Sequence, residues 1–433
     1  MDETGSDETG LDETASGDSG LGESFDREKS LERQIRAFHW IRWLAELPGR
    51  VAGSSSEREA ADRIESWIRD LGVEDVQRQP VVSRPPAGLV LALHLGLAAF
   101  ACLVGGGFGA LLAVIAAVSV RSELRRGVSL LSRLLPSPDS LNVVGRAGAR
   151  EPAQRLVLSA HIDAAQAGWL FSPPVADFFA ARSRRRSESA PPPPGPNAWP
   201  EAAVLAAAAL LLASWLGAEG WLVGASRLLL GLGLAAGCAA TLQWALARPS
   251  PGANDNASAV AAMLTCAEQL LAQLPGDVEL WVVGTGAEEV GCRGMHAFVS
   301  AHSDWPKQST FFVNFECVGG GSLHWVRSEG TLAKSGYPPT LVELARRVAA
   351  SGVFGELTPV DLLAGTDGHV PADRGYPSLS LISLEENGVP RHYHRGEDVP
   401  EAVDLPTVIR AADFGAAVGR AALRGEAGPI AIL

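Results

Sequence analysis

The sequence predicts an α/β fold, in which a mixed and largely buried sheet is flanked by helices and transmembrane helices are inserted into the chain. Three features predict it: short apolar runs typical of buried strands, helical patterns between these runs, and two apolar stretches longer than ordinary core helices. The 433 residues give room for one large or two ordinary domains.

Strand-like runs and helical patterns alternate along the soluble part of the chain. The strand-like runs are "RLVLSA" (155–160), "VELWVVGT" (278–285), "TFFVNF" (310–315) and "SLSLISL" (378–384). The helical patterns cover 57–72, 257–274, 291–303, 338–351 and 404–424. This alternation is typical of a layered α/β domain, in which ligand sites gather beyond the carboxyl ends of the strands.

Two apolar insertions, 88–120 and 202–247, exceed the roughly 20 residues that cross a bilayer. The second fits two spans that meet near residues 218–221, and the first is either one long span or two short spans that turn at Gly105. If the soluble segments form one domain, the chain must return to its starting side, and this favours two hairpins. The alternative, buried core helices of a soluble protein, fits the length of these runs less well.

Basic residues flank the two insertions on their outer sides. They are Arg121, Arg125 and Arg126 beside the first, and Arg182, Arg184, Arg185, Arg186 and Arg248 beside the second. The hairpin tips carry no basic residue, apart from Arg227 slightly inside. Because positive residues stay on the cytoplasmic side, we expect a multi-pass membrane protein whose soluble domain faces the cytoplasm.

The remaining composition excludes several classes of protein. The first 25 residues hold eight acids and no base, which predicts a disordered acidic tail and excludes a secretory signal peptide. No basic face argues for nucleic-acid binding, and five scattered cysteines give no disulfide framework. The predicted segments are a tail (1–30), soluble parts (31–86, 121–170 and 248–433), transmembrane hairpins (87–120 and 202–247) and an Arg/Pro-rich linker (171–201).

Residues of the types that bind metals follow all four predicted strands. They are His161 and Asp163, Glu288 and Glu289, Glu316, and, about ten residues beyond the last strand, His392, His394 and Asp398. Asp255, just before a predicted helix, is a further candidate. Imidazoles and carboxylates without thiolates suit zinc or a similar divalent ion. The sequence therefore predicts a metal site at the edge of the sheet where the strands end.

The adjacent carboxylates Glu288 and Glu289 would repel each other if both were ionised, and a metal beside them offsets this repulsion. Two metal ions need a bridging carboxylate, and they lower the pKa of a bound water to about 7. A carboxylate that binds no metal can then take the proton of this water. We expect one of the two glutamates to bind metal and the other to shuttle protons.

Five motifs carry a resemblance to a known family. "SAHIDA", "PGANDNASAV", "GAEEVGCRG", "VNFECVG" and "YHRGEDVPEAVD" occur in this order and resemble the M28 family of di-zinc metallopeptidases, which are aminopeptidases and carboxypeptidases. The resemblance covers most of 35–83, 140–168 and 250–424. It implies a zinc-peptidase-like fold, two zinc ions and a peptide substrate.

The resemblance also implies a role for each site residue. His161 and His394 would each bind one zinc, Asp255 would bridge both, Glu289 and Glu316 would complete the ligands, Glu288 would be the general base, and Asp163 would support His161. Glu316 stands where the family usually has Asp. His392 is the alternative to His394, because two residues apart they would share a strand face.

Three further residues are expected near the substrate. Asp367 and His369 lie in "GTDGHVPADRGYP", which resembles the family's Ser-Asp-His segment. Arg395 follows His394 where the family usually has Thr, and it puts a bulky cation beside the site. Cys292 and Cys317 lack thiolate-ligand spacing, and we interpret them as small packing residues.

These observations predict a membrane-anchored zinc exopeptidase acting on peptide ends, with the amino end favoured. Three alternatives remain open. They are a non-catalytic peptidase-like scaffold or receptor-like protein, another zinc amidohydrolase such as a deacylase or a glutaminyl cyclase, and a membrane transporter or channel subunit. An intact Glu288 argues against the first, and the scarcity of intramembrane charge argues against the last.

Overall fold

The computed structural model describes residues 18–175, 177, 198–331 and 334–425, and a nine-stranded mixed sheet lies at its centre. The strands are β1 (Asp75–Val82), β2 (Asp139–Gly148), β3 (Gln154–His161), β4 (Val278–Thr285), β5 (Thr310–Glu316), β6 (Ser322–Glu329), β7 (Ser335–Gly336), β8 (Thr358–Asp361) and β9 (Ser378–Leu384). Their order is β1-β2-β4-β3-β5-β9-β6-β7, with β8 beside β6. The predicted fold class is confirmed.

The four strands expected from apolar runs form the middle of the sheet. β4, β3, β5 and β9 are neighbours and run parallel, so their carboxyl ends meet at one edge. Every residue of β4, β5 and β9 is buried, because helices cover both faces of this part of the sheet. This is why β3, β4 and β5 read as largely apolar runs. In β9 serine alternates with leucine, and the small serines are buried as well.

Eleven helices occur among the described residues. They are α1 (Asp18–Ala45), α2 (Ser55–Asp70), α3 (Ala87–Val104), α4 (Gly106–Arg126), α5 (Ala198–Trp215), α6 (Trp221–Leu246), α7 (Ala259–Leu271), α8 (Arg293–Ala301), α9 (Pro339–Ala349), α10 (His369–Asp373) and α11 (Leu405–Leu423). Leu156 and Leu158 of β3 face a core built with α1, α2, α7, α9 and α11. Val157 points to the opposite face, where α8 packs.

Four of the helices, α3 to α6, form a bundle of their own and are long and apolar enough to cross a membrane. Alanines such as Ala98, Ala113 and Ala207 are fully buried between them, while large apolar side chains such as Leu103 and Leu229 face outward. The first pair turns at Gly105, as predicted. Two helical hairpins therefore occupy the two apolar insertions.

Two expected segments differ from the structure or lie outside it. The acidic tail was expected over 1–30, but α1 already begins at Asp18, and residues 1–17 lie outside the described part. Most of the expected linker 171–201 also lies outside the described residues, and its last four residues belong to α5.

Candidate metal centre

Three sets of predicted ligands reach the site from neighbouring strands. β3 ends at His161, β5 ends at Glu316, and the loop with Glu288 and Glu289 follows β4. Because β4, β3 and β5 are adjacent and parallel, their ends bring these side chains together. The turn 253–258 before α7 supplies Asp255 from one side of this edge.

The carboxylate of Asp255 lies between the two predicted histidine ligands. Its Oδ1 is 3.3 Å from Nε2 of His161, and its Oδ2 is 3.3 Å from Nε2 of His394. Each oxygen therefore faces one imidazole, which is the arrangement that a bridging carboxylate requires.

Each histidine also has a carboxylate of its own. Nε2 of His161 is 3.1 Å from Oε1 of Glu316, and Nε2 of His394 is 3.2 Å from Oε2 of Glu289. The five residues thus form two half-sites that share Asp255. Glu316 reaches the site despite standing where the family usually has Asp.

Glu288 lies beside the half-sites rather than within them. Its Oε2 is 3.9 Å from Nε2 of His161, and its Oε1 accepts a hydrogen bond from the thiol of Cys292 at 3.1 Å. The side chain is 11% exposed, so one oxygen remains open toward the site. Burial, reinforced by the carboxylates of Glu316 and Glu289, raises the pKa of Glu288 well above its usual value.

The buried oxygen atoms of the site test whether a metal fits. Asp255 Oδ2, Glu289 Oε1 and Glu316 Oε2 are buried and have no hydrogen-bond donor. An unpaired buried acceptor costs roughly 1–3 kcal/mol, and more when it is charged. A bound cation would satisfy all three, and two imidazoles with three carboxylates suit zinc.

The titration of the two histidines points the same way. Burial alone would lower the pKa of His394, but Glu289 and Asp255 outweigh burial and raise it to about 10. The carboxylates around His161, led by Glu316, likewise raise its pKa well above 6.5. Without a metal, this excess of negative charge attracts protons, and a metal would supply the missing positive charge instead.

Asp163 contacts His161 and also the loop that follows β4. Nδ1 of His161 lies 3.0 Å from the backbone carbonyl of Asp163 and 3.6 Å from its carboxylate. The carboxylate instead accepts the backbone N–H groups of Glu288 at 3.0 Å and Glu289 at 3.1 Å. Asp163 therefore fixes the loop that carries both glutamates, and its main chain orients His161.

Asp398 plays the same part for the bridging residue. Its two carboxylate oxygens accept the backbone N–H groups of Asn254 at 2.7 Å and Asp255 at 3.0 Å. The side chain of Asn256 accepts the N–H of Cys317 at 2.8 Å, which ties this turn to the end of β5. Asp398 therefore holds the ligand Asp255 in place, and its own carboxylate does not pair with His161 or His394.

Comparisons with known proteins agree with this geometry. Residues 239–418 match the model of peptidase family M28. This part of the chain is an M28 peptidase domain. Four of the five ligands lie within it and His161 precedes it. The family match and the fold are those of a metallopeptidase.

One curated relative and two solved structures illustrate the similarity. The chain is 30% identical over 186 residues to aminopeptidase YwaD of Bacillus subtilis (strain 168), covering 42% of this chain and 40% of the relative. BSAP, a zinc aminopeptidase from Bacillus subtilis, is 17% identical, with 90% and 94% of the chains covered and a TM-score of 0.53. The glutaminyl cyclase of Porphyromonas gingivalis is 15% identical, with 90% and 98% covered and a TM-score of 0.50. These two structures show the fold that the chain shares.

Two buried charged residues support the M28 site and escaped the sequence analysis. Arg50 is fully buried and donates to the backbone carbonyls of Ile162 and Gly252, each at 2.9 Å, so it links two ligand segments. Glu57 accepts the N–H of Ala287 at 3.1 Å, just before Glu288. Only the pattern Ser54-x-x-Glu57 gave a signal, because it indicates a helix N-terminus. The hydrogen bonds from Arg50 and Glu57 to distant backbone groups left no signal in the sequence.

The residues expected near substrate occupy three different places. Asp367 is fully buried, accepts the hydroxyl of Thr285, and lies with Cys292 next to Glu288. His369 is half-buried, and its Nδ1 lies 2.5 Å from the carbonyl of Thr366. Arg395 lines a cavity of about 220 Å³ together with Phe171 and Tyr393, whose rings pack against His394. Asp367 and Arg395 are thus near the ligands, whereas His369 has no contact with them among the described residues.

The two neighbouring histidines do not share a strand face, contrary to the expectation. Residues 391–394 form a turn, in which His392 has φ of 54° and His394 has φ of 51°. Only His394 contacts Asp255 and Glu289, while Nδ1 of His392 has no hydrogen-bond partner in the described structure. Left-handed backbone at non-glycine residues is typical of functional sites. Cys317 adjoins Glu316, its thiol lies within 4.8 Å of ligand atoms of Asp255 and Glu316, and burial raises the pKa of this thiol.

Proposed function

We propose that the chain is a membrane-anchored zinc exopeptidase that releases residues from the amino end of peptides. The observation that carries this proposal is the pair of half-sites that share Asp255, with Glu288 open beside them. The relatives support it, because one is named an aminopeptidase and another a zinc aminopeptidase. The chain spans about 40% of the length of the curated relative.

Two zinc ions would occupy the half-sites. His161 and Glu316 would hold one, His394 and Glu289 would hold the other, and Asp255 would bind both. Bound zinc polarises a substrate carbonyl and lowers the pKa of a water to about 7. The ligands keep their places because Asp163, Asp398 and Arg50 hold the segments that carry them.

Glu288 would move the proton in this reaction. Its Oε1 is engaged by Cys292, so Oε2, the oxygen nearer to His161, would accept a proton from the attacking water. The same oxygen would then give the proton to the leaving amine. The Asp163 contact with the backbone N–H of Glu288 limits the freedom of this side chain.

A free amino group suits the surroundings of Glu288. Asp367 is fully buried next to it, and its Oδ1 has no hydrogen-bond partner in the described structure. A substrate ammonium would supply both a donor and a positive charge there. This favours release from the amino end over release from the carboxyl end.

Membrane anchoring rests on the four helices of the bundle. α6 has 26 residues, which at 1.5 Å per residue is about 39 Å, longer than the roughly 30 Å hydrocarbon core. Exposed tryptophans lie near both ends of the bundle, at Trp169 and Trp199 on the domain side and at Trp215 and Trp221 on the other. Tryptophans are enriched at both interfaces of a bilayer. The arginines beside the domain favour its exposure to the cytoplasm.

A substrate panel tests the proposal. The purified full-length protein with zinc is given aminoacyl dipeptides, the same dipeptides with a blocked amino end, and peptides that begin with Gln. We expect release of free amino acids from the unblocked dipeptides alone. Three outcomes would contradict the proposal. Cleavage confined to blocked dipeptides would favour a carboxypeptidase or deacylase, and cyclisation of Gln without release would favour a cyclase. Absence of both zinc and turnover would favour a scaffold.

A further inference from the structure

We propose that the physiological substrate is a peptide whose free amino end is held at the bilayer surface, a few residues from the hydrocarbon. The inference deepens the proposed function and rests on it. The contacts that carry it join the domain-side ends of both hairpins to the segments that bear metal ligands.

The second hairpin reaches His394 through aromatic rings. Trp244 lies in the last turn of α6, and its ring centroid is 6.5 Å from that of His394. Phe171 packs against both, at 5.3 Å from Trp244 and 4.5 Å from His394. Gly168 allows this approach, because a Cβ there would lie 2.8 Å from the indole. A candidate membrane helix therefore forms part of the wall around a metal ligand.

The chain between α6 and Asp255 is short and fully tied down. The N–H of Ala167 donates to the carbonyl of Arg248 at 2.8 Å, and the N–H of Ser250 donates to that of Ala165 at 2.8 Å. The hydroxyl of Ser250 also donates to the carbonyl of Arg395 at 2.9 Å, next to His394. These bonds leave no flexible linker that could carry the site away from the helix end.

Arg84 links the domain-side end of the first hairpin to the loop that carries Glu288 and Glu289. Arg84 precedes α3, and its guanidinium lies against Gly127 at the end of α4, where a Cβ would be 1.8 Å from Nη2. The same side chain approaches Gly291, where a Cβ would be 3.2 Å from Nη1. Arg293 donates to the carbonyl of Val82 at 3.2 Å. The second hairpin thus contacts the rim of the metal centre directly, and the first is joined to it through Arg84.

Exposed apolar side chains surround this end of the bundle. They are Val82, Val128, Leu130, Leu134, Trp169, Trp199 and Leu246, and Leu134 is 75% exposed. All except Trp169 lie within nine residues of the domain-side end of a bundle helix, at residue 87, 126, 198 or 246. Trp169 lies in the loop that contacts α6. Such a surface, with arginines between, is typical of a protein face that rests on a bilayer. The lipid surface is therefore its occupant.

The distance from the bilayer to the site follows from these contacts. α6 exceeds the hydrocarbon thickness, so its last turn lies in the headgroup layer, and His394 is one aromatic contact further. The site then lies on the order of 15 Å from the hydrocarbon. At roughly 3.4 Å per extended residue, about four or five residues bridge this distance. The cavity beside His394 is lined by Phe171 and Pro173, so it adjoins the same membrane-side segment.

A length ladder of lipid-anchored peptides tests the inference. Full-length protein in liposomes is given peptides with a free amino end and a carboxyl-terminal lipid, of about 8, 16 and 24 residues, which span roughly 27, 54 and 82 Å when extended. Mass spectrometry measures the shortest lipid-linked product. Using this end point rather than a rate removes the effect of substrate enrichment on the liposome.

We expect all three peptides to be trimmed until about four to six residues remain. Products that stop at about ten residues or more, while the same peptides without lipid are trimmed fully, would overturn the inference and leave the peptidase proposal intact. Failure to trim either form would instead contradict the proposed function. Glu288→Gln gives the background, and a soluble peptidase with the same liposomes shows that the amino ends are exposed.

Discussion

Glu288 and Glu289 are adjacent in the chain, yet their carboxylates meet different partners. Glu289 turns to His394, at 3.2 Å, while Glu288 is held by the thiol of Cys292 and stays 3.9 Å from His161. Asp163 makes this division possible because it binds both backbone N–H groups. The repulsion of two neighbouring acids is thus offset by one fixed loop and by the cations that the site would hold.

Glu288→Gln should keep zinc and lose turnover. The amide can occupy the same space and leaves the five ligands intact, but it cannot accept the proton, so kcat should fall by roughly 10²–10⁴-fold. Metal analysis and dipeptide turnover measure the two effects. Glu289→Gln is the matched control, because it should weaken metal binding itself. An active Glu288→Gln protein would refute the role of Glu288.

Glu316→Asp should keep two metal ions per chain, whereas Glu316→Ala should lose one. The aspartate retains a carboxylate in the position that the family usually fills with Asp, and the alanine removes the partner of His161. Metal content after dialysis against a weak chelator distinguishes the variants. If the alanine variant holds as much metal as the original, Glu316 is not a ligand.

Glu329 should make stability depend on pH. Burial raises the pKa of Glu329 to about 8, although Tyr337 and Thr366 donate hydrogen bonds to it. Because the pKa is raised on folding, the folded state binds a proton that the unfolded state has lost, and stability falls as pH rises from about 4.5 to about 8. Glu329→Gln keeps an acceptor and should flatten the fall in thermal midpoint over this range. Equal slopes for both proteins would contradict this assignment.

At the scale of elements, the sequence predicted the middle of the sheet and its ligands because both follow local rules. β4 and β5 are buried on both faces and therefore read as mainly apolar runs, and predicted ligands lie at or just after their ends. The role of Arg50 and the hold of Asp163 on the loop after β4 could not be predicted, because they depend on contacts with backbone groups elsewhere in the fold. The turn at 391–394 was mistaken for a strand because a His-x-His pattern fits either structure.

α6 should influence the metal centre through its last turn alone. Trp244→Ala removes the ring that packs on Phe171 and approaches His394, so the affinity for the second metal ion should fall by several-fold or more. Trp221→Ala is the matched control, because Trp221 begins the same helix and is 79% exposed at the far end. Zinc titration of both variants in one lipid system measures the difference. Equal affinities would show that α6 is only an anchor.

At the scale of the whole molecule, strand pairing dictates how the hairpins are inserted. β1 pairs with β2 across the first hairpin, and an isolated bridge pairs Gln166 with Pro249 across the second. Adjacent strands lie about 4.8 Å apart, so the chain must leave and re-enter the domain at nearly the same place. An insertion that crosses a membrane must therefore do so an even number of times, which is the reason that parity alone predicted two hairpins from the sequence.

The orientation of the molecule gives the last prediction. A reporter fused after Leu433 should behave as cytoplasmic, and a cysteine introduced at Glu219, between α5 and α6, should react with an impermeant thiol reagent from outside. The arginines near the domain set this direction, because basic flanks are retained on the cytoplasmic side. A cysteine introduced at Ser303, in the domain, is the matched control and should react only after the membrane is opened. Labelling of Ser303→Cys alone from outside would show that the orientation is the reverse of the predicted one. Labelling of both cysteines from one side would contradict the hairpin topology, because the bilayer would then not separate the two positions.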